Sequence, residues 1–342
     1  PKRDIKMGTS PISTLVPRTR SGEFYPSLLT KYERTLPEDY EFILRNLVLN
    51  SKSFSAVKRT IQSLNLPYRP DQLDLIISEI YDEANVFYSR RLSPDWYFVY
   101  IDAKCIDLIN DNNKLDKAVV FTVVGVTTEC KKEIVSLQLF WGNESVDLWR
   151  KVLIDLKNRG LTRALMLITD DFSGLTSVIK SLFPTSNHQL CHVHLYRNAL
   201  RHLSKTEYVD FKLKIEDSCS SPDFETARSL FLELVSTLKP TYPDYAKHLH
   251  SRADQYSVFA KFPRDLRPHI RSTNPVEGIN NHIEIIQRNS GGLFHSEREL
   301  FVKLKLMADS LHSRNWKVPT PKIKAHIHDL SRLFFLAFES ET

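Results

Sequence analysis

Two strongly apolar runs in this 342-residue chain each end on an aspartate. Residues 96–101 are followed by Asp102, and residues 165–169 are followed by Asp170. An ionised carboxylate at the end of a buried strand is costly unless it is paired or binds a cation. Side by side in one sheet, the two strand ends would form a pocket of hard oxygen ligands suited to Mg²⁺ or Mn²⁺. Glu277, far downstream, is the natural third member of such a set.

Each of these acids also has a simpler interpretation. A strand-end aspartate commonly caps a turn or the start of a helix. Asp171 competes with Asp170, but neighbouring strand side chains point to opposite sides, so only one of the two can face the metal. If Asn274 caps a helix and Pro275 begins it, Glu277 falls at the capping-box position, which is a purely structural role.

Composition and length limit the class of protein. Hydrophobic residues make up 42% and charged residues 26% of the chain, which is typical of a soluble globular protein with two or three domains. No apolar run approaches the ~20 residues of a membrane helix, and the first residues lack the apolar core of a signal peptide. Four scattered cysteines indicate a reducing intracellular setting. Because the chain starts with Pro1, we expect it to begin inside a longer natural product.

The charge balance permits binding to nucleic acid. The net charge is +6, and residues 1–35 carry seven basic against three acidic side chains. Basic excess favours phosphate binding without proving it, and a merely solvated surface is the alternative. The candidate phosphate contacts are Arg18, Arg20, Lys58, Arg59 and Arg271.

Periodicity divides the chain into six regions. We predict a basic arm or hairpin at 1–36, a helical region resembling a helix-turn-helix at 37–92, and an α/β region at 93–194. An all-helical insertion at 195–270, a helical segment carrying the third acid at 271–315 and a tail at 316–342 follow. The acidic third helix of 37–92 is a poor surface for a DNA groove, so a scaffold or dimerisation role is at least as well supported.

The α/β region has a specific order of elements. Strands are predicted at 96–104, 117–127, 132–140, 164–170 and 189–194, with helices at 145–158 and 174–182. The order βββαβαβ, with an antiparallel meander first and crossovers after it, is the pattern of a ribonuclease-H-like fold. The predicted fold class is therefore α/β: a ribonuclease-H-like core interrupted by the helical insertion, with a small N-terminal helical region.

Two sequence blocks carry a family resemblance. They are QLCHVHLYRN at 189–198 and TNPVEGIN at 273–280, in addition to Asp102 after an aromatic-rich strand and Asp170 shortly before Gly174. With these blocks the chain resembles the Mutator-like transposases of bacterial and archaeal insertion sequences, over residues 12–312. The resemblance implies a DDE transposase in which Asp102, Asp170 and Glu277 are the catalytic and metal-binding triad. The supporting motif residues are Cys191, His194, Arg197 and Asn274.

The resemblance also implies a reaction and its partners. Two Mg²⁺ or Mn²⁺ ions, about 3.5–4 Å apart, would support DNA cleavage at transposon ends and strand transfer into target DNA. The expected partners are double-stranded DNA, as terminal inverted repeats and target, and further copies of the chain in a homodimer or higher oligomer. No membrane is expected, and the expected location is cytoplasmic, with the nucleoid. The alternatives are a domesticated, non-catalytic DNA-binding protein and a ribonuclease-H-like nuclease without strand transfer.

The motif residues themselves allow several roles. Cys191 and His194 form a Cys-x-x-His pair, but a structural zinc site normally needs four ligands, so we favour a packed, hydrogen-bonded role over zinc. Arg197 could contact DNA phosphate, pair with an active-site carboxylate or lie on the surface. The N-terminal region is short relative to the family, so reduced end-specific DNA binding is expected.

Overall fold

The structure is a computed structural model that describes residues 2–7, 10–15, 37–63, 70–314 and 316–339. Its Cα positions group into two compact units. The first unit contains Pro1–Asn85, Leu108–Leu115 and Glu284–Met307, and the second contains Val86–Asp107, Asp116–Ile283 and Ala308–Thr342. Two of the predicted phosphate contacts, Arg18 and Arg20, lie outside the described residues.

The first unit is a hairpin and a set of helices. Strands β1 (Lys2–Met7) and β2 (Ser10–Leu15) pair antiparallel. Helices α1 (Pro37–Asn50), α2 (Phe54–Ser63) and α3 (Pro70–Ser89) follow, close to the predicted positions. Their apolar faces meet in one core, because side chains three and four residues apart share a helix face. That core contains Leu44, Val48, Val57, Ile61, Leu73, Ile77, Ile80, Val302 and Leu306.

The second unit is built on a five-stranded sheet with helices. Its strands are β3 (Asp95–Ile109), β4 (Leu115–Thr127), β5 (Lys132–Trp141), β6 (Arg163–Thr169) and β7 (Asn187–Leu190). Helix α4 (Val146–Asn158) precedes β6, and helix α5 (Leu175–Leu182) precedes β7. The order across the sheet is β5-β4-β3-β6-β7, with β4 and β5 antiparallel and β3, β6 and β7 parallel. The predicted sequence of seven elements is thus present in a mixed α/β architecture.

An apolar core packs the sheet against the two crossover helices, α4 and α5. Helix α4 is capped by Ser145, whose side chain accepts from the Leu148 amide. Its inward face is the predicted one: Trp149, Val152, Leu153 and Leu156 are all fully buried. These side chains pack with apolar residues of β3, β4 and α5 in one cluster. Burial of this kind contributes roughly 1.5–3 kcal/mol per large side chain, which makes the sheet a rigid support.

Two strand predictions were wrong at their ends. The first strand was predicted to end at residue 104, but β3 continues to Ile109. The last strand was predicted at 189–194, but β7 ends at Leu190 and helix α6 (His192–His202) follows at once. The alternation His-Val-His mimics a strand, yet Cys191 is the N-cap of the helix. His194 therefore lies on a helix and not in the sheet.

The segment after α6 is all helical, as predicted. It contains α7 (Lys205–Cys219), α8 (Phe224–Leu238), α9 (Pro243–His250), α10 (Ala253–Ser257) and α11 (Arg267–Ile270). A second buried cluster holds these helices together with α6. Of the five apolar residues on α8, Phe231, Leu234, Val235 and Leu238 are buried. Leu230 remains 38% exposed, because it lies at the edge of the stripe.

The remaining helices are α12 (Asn274–Asn289), α13 (Glu297–Arg314), α14 (Pro321–Lys324) and α15 (Ile327–Phe338). Helix α12 begins in the second unit and is the element that carries Glu277. Across the described ranges, every helix is too short or too polar to cross a membrane.

Candidate functional site

The strand register places the two predicted aspartates side by side. The last paired residues of the parallel strands β3 and β6 are Tyr100 and Ile168. Asp102 and Asp170 each follow two residues later, so they continue the same register on adjacent strands. Since side chains alternate along a strand, both carboxylates lie on the side of the sheet shared by Tyr100 and Ile168.

Asp102 is buried and tied to helix α12. Its side chain is only 6% exposed. One carboxylate oxygen accepts from Nδ2 of Asn280 at 2.8 Å, and the other accepts from the Ala103 amide at 2.9 Å. Asn280 is itself fixed, because its Oδ1 accepts from the Thr122 hydroxyl at 3.2 Å. A helix side chain thus sets the orientation of the strand aspartate.

The pKa of Asp102 depends on the charges of the other two acids. Burial raises the pKa of Asp102, and the negative charges of Asp170 and Glu277 raise it further, to about 7. His194 and the Ala103 amide oppose this shift by favouring the charged carboxylate. A buried carboxylate whose pKa is raised by two neighbouring negative charges marks a place with strong affinity for positive charge.

Asp170 follows the last residue of β6 and meets helix α6. Nδ1 of His194 contacts Oδ1 of Asp170. Although burial disfavours the charged imidazole, its hydrogen bonds to Asp170 and Cys191 raise the pKa of His194 to about 10. The Asp170 carboxylate therefore favours the protonated form of the ring.

Cys191 links the two family blocks in space. Its sulfur accepts from the backbone amide and the hydroxyl of Thr273, both at 3.3 Å. Its own amide donates to the Thr169 carbonyl at 2.9 Å, directly before Asp170. The His192 amide donates to the Arg271 carbonyl at 2.9 Å. The starts of helices α6 and α12 are thereby held together at the end of β6.

Glu277 lies in the first turn of α12, one residue later in the helix than predicted. Asn274 is already helical, and the Thr273 carbonyl accepts from the Glu277 amide at 2.9 Å. Glu277 is therefore the fourth helical residue, one beyond the capping-box position. Its Oε1 lies 3.0 Å from Nη1 of Arg197, and that same nitrogen lies 3.2 Å from Nε2 of His194.

The ligand types near Asp170 include sulfur and nitrogen. Among the described residues, the grouping with metal-ligand spacing consists of Asp170, Cys191 and His194, whose ligand atoms lie within 4.8 Å of one another. Two neighbouring histidines have other partners: Nε2 of His188 bonds the Thr169 hydroxyl, and Nε2 of His192 donates to the Tyr256 carbonyl, each at 2.8 Å. This grouping provides one ligand fewer than a structural zinc site requires.

Comparison with known proteins assigns the family. Residues 1–318 match the family described as "Transposase, Mutator family". The chain belongs to the Mutator family of transposases. One relative is a probable transposase for an insertion sequence element of Corynebacterium diphtheriae, 27% identical over 81% of this chain and 80% of its own length. Another is the transposase for insertion sequence element ISRM5 of Rhizobium meliloti (strain 1021), 25% identical over 78% of this chain and 67% of its own length.

A solved structure gives a weaker likeness. The Drosophila P element transposase strand transfer complex aligns with 88% of this chain and 86% of its own chain, at 12% identity and a TM-score of 0.32. A score this low does not establish a shared fold. The family assignment of this Mutator-family transposase therefore rests on sequence.

The other predicted residues of the transposase are placed as follows. Asn274 is exposed at the start of α12. Lys58 pairs with Asp74 at 2.7 Å, and Arg59 is exposed on α2. Arg271 is directed into the helical segment, where Nη1 lies 2.9 Å from Glu216 and 2.9 Å from the sulfur of Cys219. Arg271 is therefore held by an ion pair with Glu216 inside the protein.

Sequence reasoning missed three side chains at this site. Asn280 and Thr273 were part of a family block, but only their contacts with Asp102 and Cys191 reveal their roles. Glu144 was missed altogether. Burial raises the pKa of Glu144, as does the negative charge of Asp170, while its bond from the Trp149 indole at 2.7 Å opposes the shift. No spacing rule links residue 144 to residue 170, so the sequence held no signal for it.

Asp171 anchors the helical segment and has partners separate from those of Asp170. Its side chain is 4% exposed and accepts from His248 at 2.7 Å, Arg252 at 3.0 Å and Tyr256 at 3.2 Å. Burial alone would raise the pKa of Asp171, but the bonds and charges of His248 and Arg252 hold it below its ordinary value. One carboxylate thus joins the end of β6 to helices α9 and α10.

Removing this charge should loosen the helical segment. We expect Asp171→Asn to lower the free energy of unfolding by about 2–3 kcal/mol, because Arg252 and His248 lose their counter-charge. Urea denaturation followed by circular dichroism measures the change. Asp217→Asn on exposed α7 is the matched control and should stay within about 0.5 kcal/mol of the unchanged protein. Equal effects of the two substitutions would show that Asp171 is not an anchor.

Proposed function

We propose that this Mutator-family protein is a DDE transposase in which Asp102, Asp170 and Glu277 are the catalytic acids. The observation that supports this most directly is the shared electrostatic environment of the three. Asp102 is influenced by the charges of both Asp170 and Glu277, although up to 175 residues of sequence separate them. Three carboxylates at strand ends and a helix start are costly to bring together unless a cation binds there.

The proposal includes a ribonuclease-H-like core. In support, the sheet begins with an antiparallel pair at one edge and ends with parallel crossovers at the other. We assign residues 93–194 and 271–315 to this core and residues 195–270 to a helical insertion. Residues 1–36 would then be an arm, 37–92 a helical region and 316–342 a tail. The insertion accounts for the long sequence distance between Asp170 and Glu277.

The donor set fits a hard divalent cation. Asp102, Asp170 and Glu277 offer oxygen ligands only, which Mg²⁺ and Mn²⁺ prefer. The alternative grouping with Cys191 would need its sulfur, which already accepts two hydrogen bonds from Thr273. When bound, a pair of such ions would lower the pKa of the attacking water and stabilise the leaving 3′ oxygen. We therefore favour Mg²⁺ or Mn²⁺ at the three carboxylates.

The surrounding residues hold these acids in place for the reaction. Asn280 fixes the rotamer of Asp102, and His194 fixes that of Asp170. The contact between Cys191 and Thr273 keeps helix α12, and with it Glu277, at the end of β6. Cysteine and asparagine at these positions thus act as positioning residues. Preorganised ligands lower the cost of binding and orienting the reacting phosphate.

The proposed partners are the inverted repeats at transposon ends and a target duplex, bound by a homodimer or higher oligomer. The net charge of +6 is compatible with binding to phosphate. The proposed location is the cytoplasm, with the nucleoid. A domesticated DNA-binding protein would not need to keep three acids together, so we regard that alternative as less well supported.

The decisive experiment is a cleavage and joining assay. A labelled duplex carrying the inverted repeats that flank the gene is incubated with protein, a target plasmid and Mg²⁺, Mn²⁺ or EDTA. We expect metal-dependent cleavage at the repeat end, followed by joined products. Binding without cleavage would indicate the domesticated protein, and cleavage without joining would indicate a nuclease.

A further inference from the structure

We propose that Arg197 occupies the Glu277 carboxylate until a divalent cation binds, and then moves to the phosphate of the DNA strand being cut. The inference rests on the proposed function and adds a change of partner that depends on the metal. In this proposal Arg197 changes its partner when the metal binds, and it then acts as a phosphate ligand.

Arg197 and a divalent cation would compete for the carboxylate of Glu277. Oε1 of Glu277 lies 3.0 Å from Nη1 of Arg197, and the Glu277 side chain is only 20% exposed. A carboxylate oxygen this close to a guanidinium is not free to coordinate a metal on the same side. A cation that coordinates Oε1 of Glu277 therefore displaces Arg197.

The Arg197 side chain can move away from Glu277. Its side chain is 57% exposed, so its displacement requires no repacking of the core. The second contact of Nη1 is Nε2 of His194 at 3.2 Å. A neutral imidazole nitrogen binds a guanidinium less strongly than a carboxylate does, so this neighbour alone is the weaker of the two contacts. The ion pair with Glu277 is the contact that fixes the present position of Arg197.

The cavity beside Arg197 offers the guanidinium a second position. Arg197 lines a cavity of about 190 Å³ together with Asp170, Asp171, His194, Asn198 and Arg201. Asn198 and Arg201 follow on the same helix and add donors to one wall, while Asp170 stands on another. Arginine binds phosphate oxygens through two parallel N–H bonds. A phosphodiester in this cavity would lie between the Asp170 carboxylate and the donors of α6.

The order of events follows from the charges. With Arg197 on Glu277 and no cation bound, the negative charge of Asp170 opposes the approach of a phosphate. After the exchange, the acids are neutralised by the bound cation and a free guanidinium faces the phosphate. Metal binding would thus precede productive binding of the strand.

The test compares Arg197→Ala with Arg201→Ala. Mn²⁺ affinity is measured without DNA by electron paramagnetic resonance of the free ion, and thermal melting confirms that each variant is folded. We expect Arg197→Ala to bind Mn²⁺ about threefold to tenfold more tightly, because a competing charge is gone. Arg201→Ala, one turn further along α6, should bind Mn²⁺ within about twofold of the unchanged protein. Unchanged or weaker Mn²⁺ binding by Arg197→Ala would overturn the inference.

A double-mutant cycle and a cleavage assay separate this inference from the proposed function. In a Glu277→Gln background, Arg197→Ala should no longer alter Mn²⁺ affinity. At saturating Mn²⁺, Arg197→Ala should cut DNA more slowly, and Arg197→Lys should recover part of the rate. If Glu277→Gln weakens Mn²⁺ binding and abolishes cleavage while Arg197→Ala changes neither, only the exchange is wrong. If Glu277→Gln leaves Mn²⁺ affinity unchanged, the ligand assignment and the exchange both fail.

Discussion

Replacing Asp102 or Asp170 with asparagine is expected to lower metal-dependent cleavage of transposon-end DNA by about 1,000-fold or more. A bound metal contributes several kcal/mol of charge stabilisation in phosphoryl transfer, and each ~1.4 kcal/mol is a factor of ten in rate. Asparagine keeps the size of the side chain but removes the negative charge that holds the cation.

The fold should tolerate Asp102→Asn. Burial and the neighbouring acids already raise the pKa of Asp102 to about 7, so the site accommodates an uncharged side chain there. The bond from Asn280 can be kept by the amide oxygen of the new residue, but the bond from the Ala103 amide is lost because an amide NH2 group cannot accept it. Removal of the charge repulsion offsets this loss, so we expect a thermal stability close to that of the unchanged protein together with the loss of cleavage.

The measurement is the rate of single-turnover cleavage at saturating protein and Mg²⁺, with DNA binding measured by fluorescence anisotropy. Asp107→Asn is the matched control, because Asp107 lies on the same strand and forms an exposed ion pair with Lys117. Its cleavage rate should stay within about twofold of the unchanged protein. Cleavage at the unchanged rate by Asp170→Asn would exclude Asp170 as a metal ligand.

The sheet was predictable because its strands are nearly continuous apolar runs. Five strands and two crossover helices occur in the predicted order, and the inward face of α4 was identified residue by residue. Strand alternation also predicted that only one of Asp170 and Asp171 can face the metal, and the family resemblance favoured Asp170. The two neighbouring residues do have separate partners: His194 for Asp170, and His248 with Arg252 for Asp171.

The links between distant segments were not predictable. Cys191 meets Thr273 across 82 residues, and Asn280 meets Asp102 across 178. Each contact depends on where helix α12 lies against the sheet, and one sequence contains no information on that placement. The end of β7 was misjudged for a local reason, since a short polar-apolar alternation fits both a strand and the first turn of a helix.

The largest effect on stability is expected at Arg267. This side chain is 3% exposed and donates to backbone carbonyls of Phe262 at 3.0 Å, Ser221 at 2.6 Å, and Ala260 and Cys219 at 3.1 Å. The guanidinium therefore ties the α7–α8 connection to the segment that leads back to α12. We expect Arg267→Ala to lower the free energy of unfolding by about 3–5 kcal/mol, because buried carbonyls lose their donors and a cavity remains.

Arg267→Lys should be intermediate, since one ammonium group can satisfy only some of these carbonyls. Urea denaturation of the two variants measures the loss, with Arg264→Ala as the control. Arg264 lies three residues earlier and is exposed, so its removal should change the free energy of unfolding by less than about 0.5 kcal/mol. If Arg267→Ala were no more destabilising than Arg264→Ala, the carbonyls would have to find other donors. The connection between the helical segment and the Glu277 helix would then be held by apolar packing alone.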